Sequence, residues 1–394
     1  MDTKRNGIKL GICGIGLLMM GVIGITSALA TIGANFPDAS QTTIQNLISI
    51  PCIVIIPTTI VVGKLMQIIS KKIIAIVGIL AFFIGGVVPV FMTSIIPILV
   101  MRGLLGVGVG ICQVVSTAII AEHFSGEEQE KAQGTLQASQ MAGAAIMVFV
   151  GGWLADIKWN YIFYVHLLAI LSLILVFSKV PHNKPVKAKE NRKTQKTNLT
   201  KSTWGWVIFT FILFISVHVY SISLSYIVEE KGLGTASVSG LGLAFFAIGG
   251  IIMGLFYGSY ARAFKNNTIA FGCLMLAVSY LIIAYANSIV MCHVGSFISG
   301  MAVSAILPAV FINASTSVDV FSAGMAISVV TCAQNFGQFV CPYVVNPIAA
   351  SISKGINHNF MVFIIGAVIA AVLTVLMFLW GTNKNKQTIT YRAS

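Results

Sequence analysis

The chain has 394 residues, of which 57% are apolar and only 9% charged, and its mean hydropathy is +0.93. An ordinary soluble domain carries about 25% charged residues, so a water-soluble enzyme is excluded and a protein of many membrane spans is expected. The 24 Lys and Arg outnumber the 11 Asp and Glu for a formal charge of +13, but these charges lie between apolar runs, so no nucleic-acid partner is expected.

A helix needs about 20 mainly apolar residues to cross the hydrocarbon core. Cuts at Gly, Pro and polar clusters give twelve such segments, centred near residues 20, 55, 83, 110, 145, 168, 215, 248, 278, 302, 336 and 370. The first follows Lys4, Arg5 and Lys9 and carries Ala28-Leu29-Ala30, which mimics a signal-peptide cleavage site. Its apolar run is too long for a signal, so it reads as a first transmembrane helix. Alternating the loops from a cytoplasmic N-terminus places every Lys and Arg inside except Lys158, Lys231 and Lys354, which fall outside, and Arg102, which falls within a span. That distribution satisfies the positive-inside rule and predicts a multi-pass protein of the cell membrane with both termini cytoplasmic. Trp153, Trp159, Trp204, Trp206 and Trp380 lie near span ends, at the depth an amphipathic ring prefers. The seven cysteines all fall in apolar segments and show no disulfide or metal spacing.

Span four holds Arg102, the one formal charge placed well inside a span. A charge there is a functional-site hypothesis. It either meets solute or coupling charge, or it bonds backbone carbonyls and polar side chains of neighbouring helices. Gln113 follows about three turns, or ~16 Å, along nearly the same face, and Ser116 and Thr117 continue the stripe. Span five offers Gln137 and Gln140, amides that either bind polar solute or join helices.

After span six the composition turns to a basic segment, 179–203, with eight basic residues against Glu190. It cannot bury enough apolar surface to fold alone, and it reads as a cytoplasmic linker between a bundle at 1–178 and a second at 204–394. Span seven is unusually polar: Ser216, Tyr220 and Ser223 form one stripe, and His218, Ser221 and Ser225 the next. Two polar stripes on a lipid-embedded helix imply a water-filled cavity or another helix. Span eleven adds Gln334, Asn335 and Gln338, and Pro51, Pro57, Pro308, Pro342 and Pro347 mark kinks in or near spans two, ten and eleven.

The halves echo each other. Gln140-Met141-Ala142-Gly143 matches Gln334-Asn335-Phe336-Gly337 at an offset of 194 residues, and Gly63 matches Gly258 at 195. An internal duplication of this kind is how many secondary transporters are built.

Two motifs carry a family resemblance. Gly63-Lys64-Leu65-Met66-Gln67-Ile68-Ile69-Ser70-Lys71-Lys72 resembles the G-x-L-a-D-r-x-G-r-k loop of the major facilitator superfamily, with Gln67 in place of its acid. Arg102-Gly103-Leu104-Leu105-Gly106-Val107-Gly108 is similar to the family's R-x-x-q-G-x-G. A third stretch, Gly151-Gly152-Trp153-Leu154-Ala155-Asp156 with Trp159-Asn160-Tyr161-Ile162-Phe163, is similar to its G-G-x-l-a…W-R-x-x-F. The antiporter pattern G-P-x-x-G-G is half present, since Met147 and Val148 stand at the Gly-Pro positions. The resemblance implies an all-α membrane fold of twelve transmembrane helices in two pseudo-symmetric six-helix bundles, with spans one, four, seven and ten lining a central cavity. It further implies a conformational motif at Gly63, Lys71, Lys72, Gly106 and Gly258, weakened or relocated by the loss of the acid.

The sequence therefore predicts a single-chain secondary transporter that moves a small organic solute by alternating access, with no cofactor, no metal and no catalytic activity. None of the eleven acids lies deep in a span, so anionic or neutral solutes are favoured. Proton coupling stays open, with His218 the best-placed titrating group. The residues expected to meet solute or coupling ion are Arg102, Gln113, Ser116, Thr117, Gln140, Ser216, His218, Tyr220, Gln334 and Gln338. The alternatives are an efflux pump for drugs or toxic metabolites and, from another class, a polytopic membrane enzyme or scramblase.

Overall fold

The computed structural model describes residues 2–182, 199–318, 322–353 and 358–393, all in helices and their connections. In chain order the long helices are α1 (Arg5–Ala34), α2 (Gln41–Leu65), α3 (Lys71–Phe91), α4 (Ile95–His123), α5 (Glu127–Ile157) and α6 (Trp159–Lys179). They continue as α7 (Lys201–Glu230), α8 (Ala236–Phe264), α9 (Thr268–Ala284), α10 (Ile289–Thr316), α11 (Ala323–Ile352) and α12 (His358–Ala393). Each expected span centre falls inside one of them. Among the described residues ten stretches are long and apolar enough to cross a membrane. The 49-residue stretch Ala236–Ala284 contains both α8 and α9, and α11, with its amides and two prolines, is a further helix of 30 residues.

Local sequence explains the helix starts. Ser40, Ser70, Thr200 and Ser288 precede α2, α3, α7 and α10, and each side chain accepts the N–H three residues on, at 3.2–3.4 Å. These are N-caps, which satisfy donors that the first helical turn leaves bare. By contrast α1 is interrupted: it turns to a 3-10 helix over Gly21–Ala28 before resuming as Leu29–Ala34. The tighter 3-10 turn has poorer hydrogen-bond geometry, which leaves its carbonyls open to outside donors.

The chain forms two compact units, one of Met1–Gln195 with Thr235–Gly240, the other of Lys196–Gly234 with Leu241–Ser394. In the first, α4 packs on α2 and α3, α5 on α1 and α6, and α6 on α1 and α3. The second repeats these neighbours six helices later, pairing α10 with α9, α11 with α7, and α12 with α7 and α9. Large apolar side chains such as Phe91, Leu255 and Val290 are more than 70% exposed, an outer surface that suits lipid rather than water. Helix α6 runs through Lys179 and α7 begins at Lys201, so helix takes up both ends of the basic segment expected at 179–203; residues 183–198 lie outside those described. Trp206 lies near the start of α7, where it is 6% exposed and meets the Trp380 ring edge-on at 5.3 Å.

Candidate functional site

Arg102 is 0% exposed and is held by three helices of its own unit. Its Nε donates to the Leu47 carbonyl on α2 at 2.7 Å and its Nη2 to the Val22 carbonyl on α1 at 2.7 Å. Its Nη1 lies 3.2 Å from Nε2 of His166 on α6. Each acceptor has a local cause. Leu47 stands four residues before Pro51, which has no N–H to return to that carbonyl. Val22 sits in the 3-10 stretch of α1. His166 Nδ1 is 2.9 Å from the Phe163 carbonyl and must donate to it, which leaves Nε2 as the acceptor that an arginine N–H requires.

The same register explains the glycine of the motif. Gly106 is one turn beyond Arg102 and lies against Pro51, one turn beyond Leu47; a Cβ there would stand 2.7 Å from the Pro51 oxygen and 2.8 Å from its Cα. A side chain would push α4 off α2 and withdraw the guanidinium from its carbonyl. The second unit has a comparable approach, where a Cβ on Gly300 of α10 would collide with the Phe246 backbone of α8.

The other residues expected in the first unit are dispersed. Ser116 is buried and Thr117 exposed, and their hydroxyls bond back to the Gln113 carbonyl at 3.1 and 3.3 Å. Gln113 is half-buried and Gln140 buried. Lys71 reaches Glu122 at the end of α4 at 2.5 Å, and Lys72 donates to the Phe177 carbonyl of α6 at 2.7 Å. Both basic residues of the conformational motif are thus engaged by their own unit. A Cβ added to Gly63 or Gly258 would meet nothing within 4 Å, so packing does not demand glycine at either.

In the second unit Ser216 is fully buried; its Oγ donates to the Gly366 carbonyl of α12 at 2.8 Å, and its own carbonyl accepts from Tyr280 Oη of α9 at 2.9 Å. This part of the polar stripe therefore meets other helices. Tyr220 is 2% exposed and stacks on Phe246 with ring centroids 5.0 Å apart. His218 is buried, while Gln334 and Gln338 on α11 are half-buried. Sequence reasoning passed over His166, Tyr280 and His293. His293 on α10 is 8% exposed, stacks on Phe245 at 5.1 Å, and has neither ring nitrogen bonded among the described residues.

The Major Facilitator Superfamily model matches residues 11–342 and 206–393. The chain belongs to this superfamily. Among curated relatives, the multidrug transporter protein MdtP of Bacillus subtilis is 28% identical over 123 residues, 30% of this chain and 23% of the relative. The cis,cis-muconate transport protein of Acinetobacter baylyi is 26% identical over 210 residues, 48% of this chain and 50% of the relative. The chain thus spans from about a quarter to about half of the length of these relatives. A bacterial homologue of the lysosomal transporter Spinster shares the fold with a TM-score of 0.79 at 13% identity, over 97% of this chain and 99% of that one. The D-xylose–proton symporter does so at 0.73 and 16%, over 95% and 97%. As a Major Facilitator Superfamily member the protein is a multi-pass membrane protein, and its motif arginine and glycine are the residues that tie α4 to α1, α2 and α6.

Proposed function

We propose that this transporter moves a small anionic or neutral organic solute across the cell membrane by alternating access of bundles at 1–178 and 204–394, acting as a single chain with both termini cytoplasmic. The observation that carries the reading is the charge of the interior. Among the described residues no Asp or Glu is buried, and Arg102 is the one buried formal charge. A cation would enter a low-dielectric space with no carboxylate to receive it, at a cost of several kcal/mol. Arg102 itself serves as a stitch, since its guanidinium is already bonded; solute contact falls to the uncharged groups Gln113, Gln140, Tyr220, Gln334 and Gln338. Ser116, Thr117 and Ser216 shape the helices that present them. Transport of cis,cis-muconate by one relative agrees with an anion reading. The multidrug relative supports the second reading, efflux of amphipathic compounds.

Purified protein in proteoliposomes, offered benzoate, succinate, cis,cis-muconate and ethidium with and without a pH gradient, separates these. Carboxylate flux without ethidium flux is expected; ethidium flux with no carboxylate flux would overturn the solute assignment. If transport is coupled to protons through His218, its pH dependence should be lost in His218→Gln. An unchanged pH profile removes His218 from the mechanism.

A further inference from the structure

A cavity of about 140 Å³ lies within the second unit, away from the buried stripe of α7, between the last turns of α8 and α10, the α8–α9 turn and Trp380 of α12. Its polar lining is Tyr257, Lys265, Asn266, Thr268, Asn313 and the Trp380 ring, with no acid among them. At about 30 Å³ per water it has room for a group of four or five heavy atoms.

Lys265 is set here by the backbone. Its φ is +50°, the one positive φ of a non-glycine residue among the described residues, a conformation that persists only where surrounding bonds over-determine it. Those bonds are present: Thr268 Oγ1 donates to the Lys265 carbonyl at 2.6 Å, and Tyr260 Oη donates to the Thr268 carbonyl at 3.0 Å. No carboxylate of the described residues pairs with Lys265. Asn313 donates one amide N–H to the Ala309 carbonyl at 2.8 Å, and an amide nitrogen carries a second.

The surroundings are those of a headgroup layer. Exposed Arg262 and Lys201 belong to the same end of the unit, as does the Trp206–Trp380 pair, and interfacial tryptophans mark that depth. Beside the cavity, Ile312 is 54% exposed and Leu379 55% exposed, an apolar flank along which acyl chains can lie. A basic pocket between helices with this flank matches the chemistry of an anionic lipid.

We propose that this cavity binds the phosphate of an anionic phospholipid headgroup, with Lys265 as its cation and Tyr257 and Asn313 as neutral donors. The full chain in detergent is titrated with phosphatidylglycerol or phosphatidylcholine, and bound lipid is counted by native mass spectrometry while the unfolding temperature is followed. Phosphatidylglycerol should be retained over phosphatidylcholine, with retention about fivefold weaker in Lys265→Gln, weaker in Tyr257→Phe, restored in Lys265→Arg, and unchanged in Lys201→Gln, which lies outside the cavity. Equal retention of the two lipids, or equal phosphatidylglycerol retention by wild type and Lys265→Gln, would overturn the site. Stabilisation by inorganic phosphate to the same extent as by phosphatidylglycerol would overturn the lipid as its source.

Discussion

In the first unit the guanidinium of Arg102 meets two backbone carbonyls at 2.7 Å and an imidazole at 3.2 Å, whereas in the second unit the imidazole of His293 has neither nitrogen bonded among the described residues. The hydroxyls of Ser223 and Tyr226 on α7 are buried and unbonded in the same sense. Polar atoms in a dry interior are stabilising when paired and costly when not. The first unit therefore uses its buried charge to hold four helices in register. The second keeps buried polar groups with no partner of this kind, as the first does at Ser27 Oγ and Asn160 Oδ1, and under the proposed function such groups can exchange hydrogen bonds with a passing solute.

Removing a paired group should cost far more stability than removing an unpaired one, and thermal unfolding of purified variants tests that contrast. Arg102→Ala orphans the Leu47 and Val22 carbonyls and should lose on the order of 3 kcal/mol. Arg102→Lys should recover only part of this, because an ammonium lacks the planar fork that reaches two carbonyls at once. In the second unit Tyr280→Phe deletes the bond to the Ser216 carbonyl at 2.9 Å and should cost about 1 kcal/mol. Lys231→Met removes an ammonium from the carbonyls of Ala284 and Ala286 at the end of α9, at 2.5 and 2.9 Å, for about 0.5 kcal/mol. The smallest effect belongs to His293→Phe, which keeps the stack on Phe245 and removes two unbonded nitrogens. Its stability should stay within about 0.5 kcal/mol of wild type while carboxylate flux falls. A loss for His293→Phe as large as that for Arg102→Ala would erase the contrast.

Much of the fold was legible because hydrophobic length, basic loops and the duplicated Gln140 and Gln334 motifs are local signals that each half states independently. Arg102 was also legible as a residue out of place in an apolar run. Its partners were not, since they lie 55, 64 and 80 positions away and two of them are backbone atoms with no side-chain signature. One signal was available: Arg102 and Gly106 have the same four-residue spacing as Leu47 and Pro51, and a proline advertises the carbonyl it leaves bare. Ser216 shows the converse limit. Its place on a polar stripe fits a cavity and a helix contact equally, and only the packing of α12 and α9 against α7 decides between them. The role of His166 was not legible, because the reason for its tautomer, an arginine N–H on one side and the Phe163 carbonyl on the other, comes from the folded structure.

The most direct measurement is carboxylate flux by the double variant Pro51→Ala/Arg102→Ala, compared with Arg102→Ala at a temperature below both unfolding midpoints. Alanine at position 51 supplies the N–H that can close the helical bond to Leu47, so the double variant should regain about 1 kcal/mol of stability by coupling between the two sites. If Arg102 is a stitch, flux returns with that stability. Recovered stability with flux still absent would contradict the account and place the guanidinium on the solute.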